Sequence, residues 1–153
     1  MKYLSMLLLC AISIFSISSC KKSDASPKSK TEYLTAVEWY IQSANSVGGL
    51  VVVYDRSSSG NLYDLSKVRL QFQADGKVKG IDNNGNSSNS GTWKFSNNET
   101  QIEISNFNFA GLSLGIANID LLDATHFNFS GSADLSSRGY GIVQAQIKLV
   151  PSM

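Results

Sequence analysis

From Val37 to Leu149 this chain alternates apolar and polar residues again and again, and a period of two commits it to half-buried β-strands. Val37, Trp39 and Ile41 alternate with Glu38, Tyr40 and Gln42, and Val68, Leu70 and Phe72 alternate with Lys67, Arg69, Gln71 and Gln73. Trp93 and Phe95, Ile102 and Ile104, Phe127 and Phe129, and the run Val143, Ala145, Ile147 and Leu149 repeat the pattern. Clusters of Gly, Asn, Ser and Asp separate the runs, and only Thr31 to Ala36 reads as helical. Each run carries one apolar face, so the expected fold is all-β.

The connections set the topology. Ala74-Asp75-Gly76-Lys77 is a tight hairpin signal, with Gly76 suited to a positive φ, and the chain returns through Val78 to Ile81. Gly49 to Tyr54 reads as a buried apolar strand, and Arg56 to Tyr63 and Asn83 to Ser90 read as polar loops. Parity breaks twice. Ile102 and Ile104 are followed by Phe107 and Phe109 on the opposite phase, which requires a bulge or turn at Ser105-Asn106; Leu112, Leu114 and Ile116 likewise give way to Ile119 and Leu121. One strand per run gives about eight or nine short antiparallel strands joined mostly by hairpins, a number that suits a small closed barrel, and closure removes exposed edges.

Ahead of this part, Lys2 is followed by an apolar stretch from Leu4 to Ile17 that is short for a membrane span and interrupted by serine. It ends in Ile17-Ser18-Ser19-Cys20, which resembles a bacterial lipobox, although leucine and glycine or alanine are more usual where Ile17 and Ser19 stand. The resemblance implies a signal peptide over residues 1–19, removed after a diacylglycerol is attached to the Cys20 sulfur, and a lipid anchor in a membrane. Cys10 would leave with the signal, so no disulfide is expected. Residues 20–30 are the lipidated cysteine and a polar tether, with about 17 Å of flexible reach. Lys21 after the lipidated position resembles outer-membrane lipoproteins, with the folded part facing the periplasm or the cell exterior.

Residues 31–153 form one domain, with no room for a second. From Thr31 onward there are eight Lys and Arg against eleven Asp and Glu, a net charge of −3. Nucleic acid is therefore not an expected partner, since its binding needs a positive field.

Several segments together resemble the lipocalin-like domains of small bacterial lipoproteins. They are Trp39 in the first strand, Leu70-Gln71-Phe72-Gln73-Ala74-Asp75-Gly76-Lys77-Val78, Ser90-Gly91-Thr92-Trp93-Lys94-Phe95, Ile102-Glu103-Ile104 and the closing Ile147-Lys148-Leu149-Val150-Pro151. The likeness spans nearly the whole domain and rests on order and spacing. It implies an up-and-down antiparallel barrel of about eight strands, and it supports fold more than activity.

No enzyme, metal or cofactor signature emerges. His126 is the sole histidine, too few for a metal site. Asp82-Asn83-Asn84-Gly85-Asn86 lacks the spaced carboxylates of a calcium loop, and there is no Gly-x-Ser-x-Gly elbow. Asp120, Asp123 and Asp134 are expected to be turn-formers rather than paired acids. The aromatic residues Trp39, Tyr54, Phe72, Trp93, Phe95, Phe127 and Phe129 are expected to point toward the axis, where eight strands leave room either for packed side chains or for one small ligand. Two functions follow. The first is a non-enzymatic lipoprotein that holds a small apolar or amphipathic ligand against these residues, at an end rimmed by the two polar loops; the second is a cell-envelope interaction module, an accessory subunit or inhibitor, with a filled barrel. An internal cavity of several hundred Å³ would mark the first, and a filled interior with an exposed apolar patch the second.

Overall fold

A computed structural model describes residues 26–152, except 110, 111, 114, 137 and 138. The expected leader, Cys20 and the first part of the expected tether lie outside the described residues, as do the side chains of Phe109, Leu112 and Leu114. The first element opens on a reciprocal cap: the Ser29 hydroxyl accepts the Glu32 N–H at 3.2 Å, and the Glu32 carboxylate accepts the Ser29 N–H at 2.7 Å. The helix it starts, α1 (Lys30–Thr35), matches the helical reading of Thr31 to Ala36. Leu34 is fully buried, and its carbonyl accepts the Trp39 indole N–H at 2.9 Å, fixing the helix to the first strand.

The strands are β1 (Glu38–Ser46), β2 (Val52–Asp55), β3 (Arg69–Phe72), β4 (Lys77–Ile81), β5 (Ser87–Ser96), β6 (Gln101–Ser105), β7 (Asn108–Phe109), β8 (Leu112–Ser113), β9 (Ile116–Leu122), β10 (Phe127–Asp134) and β11 (Ile142–Pro151). Eight of them pair in the order β1-β3-β4-β5-β6-β9-β10-β11, and β11 returns to β1 to close an antiparallel barrel. The expected all-β, eight-stranded barrel is the fold. β2 is an extra strand on β1, and β7 and β8 form a separate two-stranded ribbon between β6 and β9.

The alternation sets the faces as expected. Trp39 and Ile41, Leu70 and Phe72, Ile102 and Ile104, Phe127 and Phe129, and Ala145, Ile147 and Leu149 are all buried. The first parity break is a turn in which Asn106 takes φ 57° and Phe107 comes back into the core. At the second the inward residues are Ala117 and, half-buried, Ile119 and Leu122, because the β9–β10 register shifts between Asn128 and Phe129. Ile116, on the opposite phase to Ala117, and Leu121, past the shift, are exposed. Two further expectations are corrected. The apolar run from Gly49 is strand only from Val52, because Gly48 and Gly49 both take positive φ in the turn and leave Leu50 92% exposed. The polar loop from Asn83 ends at Asn86, since Ser87 to Ser90 already pair with β4.

Strand directions give the barrel two distinct ends. The end where β1 starts carries α1, the tether's entry and the turns at 73–76, 97–100 and 123–126. The far end carries the β1–β2 turn, residues 82–86, the 105–115 ribbon and the β10–β11 connection.

Candidate functional site

The aromatic set is brought together inside the barrel. Trp39, Tyr54, Phe72, Phe127 and Phe129 are fully buried, Trp93 is nearly so, and Phe95 is half-buried. All but Tyr54, which lies on the extra strand β2, touch in sequence across the interior. Trp39 meets Phe127 edge-on at 5.9 Å between ring centroids, Phe127 meets Phe72 at 5.7 Å, Phe72 meets Trp93 at 5.9 Å and Trp93 meets Phe95 at 5.3 Å. Phe129 lies 4.9 Å from Phe127. Edge-to-face contacts at these distances are the favoured aromatic geometry, so the rings satisfy one another. A void beside Phe129, Ala133, Ala145 and Ile147 holds about 10 Å³, no more than one water needs.

The far end is closed as well. Leu65, Leu135 and Phe107 are buried there, and the second of the loops expected to rim a mouth is tied to the segment that follows the first: Asn83 Oδ1 accepts the Lys67 N–H at 3.0 Å and its Nδ2 donates to the Asp64 carbonyl at 3.1 Å. The open clefts are outside the barrel. One of about 530 Å³ lies among Tyr54, Arg56, Asn61 and Asp64, and another of about 380 Å³ lies between Tyr40, Arg56 and Pro151. Tyr54 touches the first only at its rim: its hydroxyl is covered and without a hydrogen-bond partner, and burial raises its pKa.

The residues considered for chemistry fall apart. His126 is exposed in the β9–β10 turn beside Thr125 and Asp123, 3.4 Å from the Asp123 carboxylate. Among the described residues no group of three or more His, Cys, Asp or Glu could hold a metal ion. Asp82 folds onto its own turn, accepting the Asn84 and Asn86 N–H groups at 2.9 and 2.8 Å, and those bonds hold its carboxyl below the usual range. Asp123 and Asp134 are turn-formers as expected, each accepting the N–H two residues on. Asp120 is not: it stands in mid-strand β9, bonded to Ser130 on the adjacent β10 and to Gln146 on β11, one strand further on.

What the alternation did not reveal is a concentration of exposed apolar side chains. Val47, Leu50, Val52, Ile116, Tyr140 and Ile142 are between 40% and 92% exposed, and all belong to the far end. The Val47 N–H donates to Gln144 O at 2.7 Å, which sets the β1–β2 turn beside the start of β11, two residues from Ile142. The sequence signal is glycine: Gly48 and Gly49 precede Leu50, and Gly139 and Gly141, all with positive φ, flank Tyr140. Among known proteins, no family model matches this chain, and no curated protein is significantly similar to it. No helix among the described residues is long and apolar enough to cross a membrane.

Proposed function

We propose that this protein is a lipid-anchored, non-enzymatic module of the cell envelope that docks a protein partner through the apolar far end of a filled, lipocalin-like barrel. The observation that carries the reading is the pairing of a packed aromatic interior with six large apolar side chains exposed at one end. A hollow barrel would leave its aromatic rings facing empty space; these rings face each other. Isolated exposed apolar residues need no explanation, but a cluster at the glycine-rich turns of one end is a recognition surface. Burying Leu50 alone would contribute on the order of 2 kcal/mol to binding. The anchor rests on the lipobox resemblance at Ile17 to Cys20, and the tether enters at the opposite end, so the docking surface points away from the lipid.

Two measurements test this. Cys20→Ala should abolish palmitate labelling, and labelling that persists would remove the anchor. A photo-crosslinking residue placed at Leu50 or Ile142 in the native envelope should trap a discrete protein species that the same residue at Lys94, on the barrel wall, does not. Identical patterns at all three positions would remove the docking reading.

A further inference from the structure

The outer face of the barrel around Asp120 is built differently from the rest of the surface. Asn45 of β1 stands opposite Gln146 of β11, Gln146 opposite Ser130 of β10, and Ser130 opposite Asn118 of β9, so one outward row crosses four strands with amides and a hydroxyl. Asp120 spans the row: one carboxylate oxygen accepts the Ser130 hydroxyl at 3.1 Å and the other accepts the Gln146 amide at 3.4 Å. Gln101 to Asn118 and Gln144 to Ser132, both at 2.9 Å, extend the network to either side. The groups are held in place before anything binds.

The β1–β2 turn walls this row on one side and leaves an open cleft of about 400 Å³, lined by Asn45, Val47, Gly48, Asp120, Ser130 and Gln146. Gly48 and Gly49 have nothing within 4 Å of where a Cβ would sit, so a bare backbone edge borders the cleft. Asn45 is half-buried at the cleft, and its Oδ1 is covered and has no hydrogen-bond partner among the described residues, an acceptor that a covered carbonyl ordinarily would not leave unused.

From this arrangement we infer that the cleft binds a neutral polyhydroxylated ligand, a saccharide unit. Each hydroxyl of a vicinal pair both donates and accepts, which matches a carboxylate flanked by carboxamides and a serine hydroxyl. Asp120 repels anions, and among the described residues no Lys or Arg lines the cleft to offset it. Each carboxylate oxygen already holds a donor, which weakens the site for an ammonium group but leaves lone pairs for hydroxyls. Val47, 60% exposed at the margin, offers the apolar contact that a sugar ring's C–H face requires. The volume lies within the range of small-molecule sites.

The test is a titration of the full chain, ¹⁵N-labelled and in detergent micelles, with cellobiose, maltose and chitobiose up to about 10 mM, enough to occupy even a weak site. At least one disaccharide should shift the Gly48 and Gly49 amides and the Asn45 and Gln146 side-chain amides saturably. Asp120→Ala and Gln146→Ala should each weaken that binding about tenfold or more, since both remove hydrogen-bond partners. Asp134→Asn should leave it unchanged. Circular dichroism checks the fold of each variant, and Gln146→Ala carries the test if Asp120→Ala melts early. Silence of these amides toward all three sugars overturns the inference, and so does binding that both variants leave intact. Saturable shifts with methylammonium alone would reassign the cleft to a cation. Protein docking at the far end, whose surface shares Val47 with this cleft, is read separately by crosslinking at Leu50 and Ile142.

Discussion

Gly76 shows how a single residue fixes local structure. It holds φ 82° in the turn after β3, and its carbonyl accepts the Trp93 N–H at 2.7 Å. A Cβ there would be strained by the backbone and would also sit 3.3 Å from the Trp93 carbonyl oxygen. Gly76→Val should therefore destabilise by roughly 1 kcal/mol or more, whereas Gly60→Val, where a Cβ would meet only the Ser58 hydroxyl oxygen at 3.9 Å, should be nearly silent in chemical denaturation. Equal effects at the two sites would contradict the turn. Gly91 is a different case, set by space and not by φ. A Cβ would lie 2.7 Å from that of Phe107 and 2.8 Å from the Ser105 carbonyl oxygen, because the turn at Asn106 lays Phe107 directly over β5. Gly91→Ala should cost on the order of 1–3 kcal/mol through overpacking, and Gly115→Ala, with nothing nearby, almost none. Gly76 is readable in the sequence because an Asp-Gly turn is a local signal. Gly91 is not, since its constraint comes from a neighbour on another element.

The turns share one device at the scale of elements. Asp55, Asp64, Asp75, Asp82, Asp123 and Asp134 each accept the backbone N–H two residues on, at 2.7–3.1 Å. All six carboxyls are held below their ordinary range. The main cause is the Ser57, Ser66, Lys77 and Ser136 side-chain hydrogen bonds at Asp55, Asp64, Asp75 and Asp134, and the Asn86 and Thr125 backbone bonds at Asp82 and Asp123. A depressed folded pKa means the folded state gives up its proton more readily than the unfolded chain. The stabilisation is complete above the unfolded carboxyl value of about 4 and is lost as pH falls through the lowered folded values. Melting temperature should be flat from about pH 7 to 5 and fall below about pH 4, less steeply in Asp123→Ala; a fall that begins near neutrality would contradict this assignment. Each exposed group contributes little alone, so the effect belongs to the set. At this scale the strands were legible because alternation is a property of neighbours in the chain. Asp120 was not, because its partners Ser130 and Gln146 lie 10 and 26 residues away, and neither was the shortened β2, whose start depends on what the Gly48-Gly49 turn does in space.

For the whole molecule, the number of strands allowed either a filled or a hollow barrel, and only three-dimensional packing distinguishes them. Phe127 is the pivot, in contact with Trp39, Phe72 and Phe129 at once. Because Trp39 is fully buried and Trp93 8% exposed, tryptophan emission should be blue-shifted in the folded protein and red-shifted on unfolding. An apolar probe such as a naphthalene sulfonate or a fatty acid should leave it unchanged, since both indoles are packed against neighbouring rings. Phe127→Ala should reverse this behaviour. Removing the ring costs about 3–5 kcal/mol through lost burial and the cavity left behind, a large share of the roughly 5–15 kcal/mol that holds a typical domain folded. The cavity would be apolar and dry, walled by the Trp39, Phe72 and Phe129 rings, which is the kind of void that takes up benzene. Benzene added to Phe127→Ala should therefore raise its melting temperature and perturb Trp39 emission, with near-UV circular dichroism confirming a packed fold, while the unaltered protein responds to neither benzene nor the larger probes. Saturable uptake of a fatty acid by the unaltered protein would instead show that the rings separate to admit a ligand, and would return the function to the barrel interior.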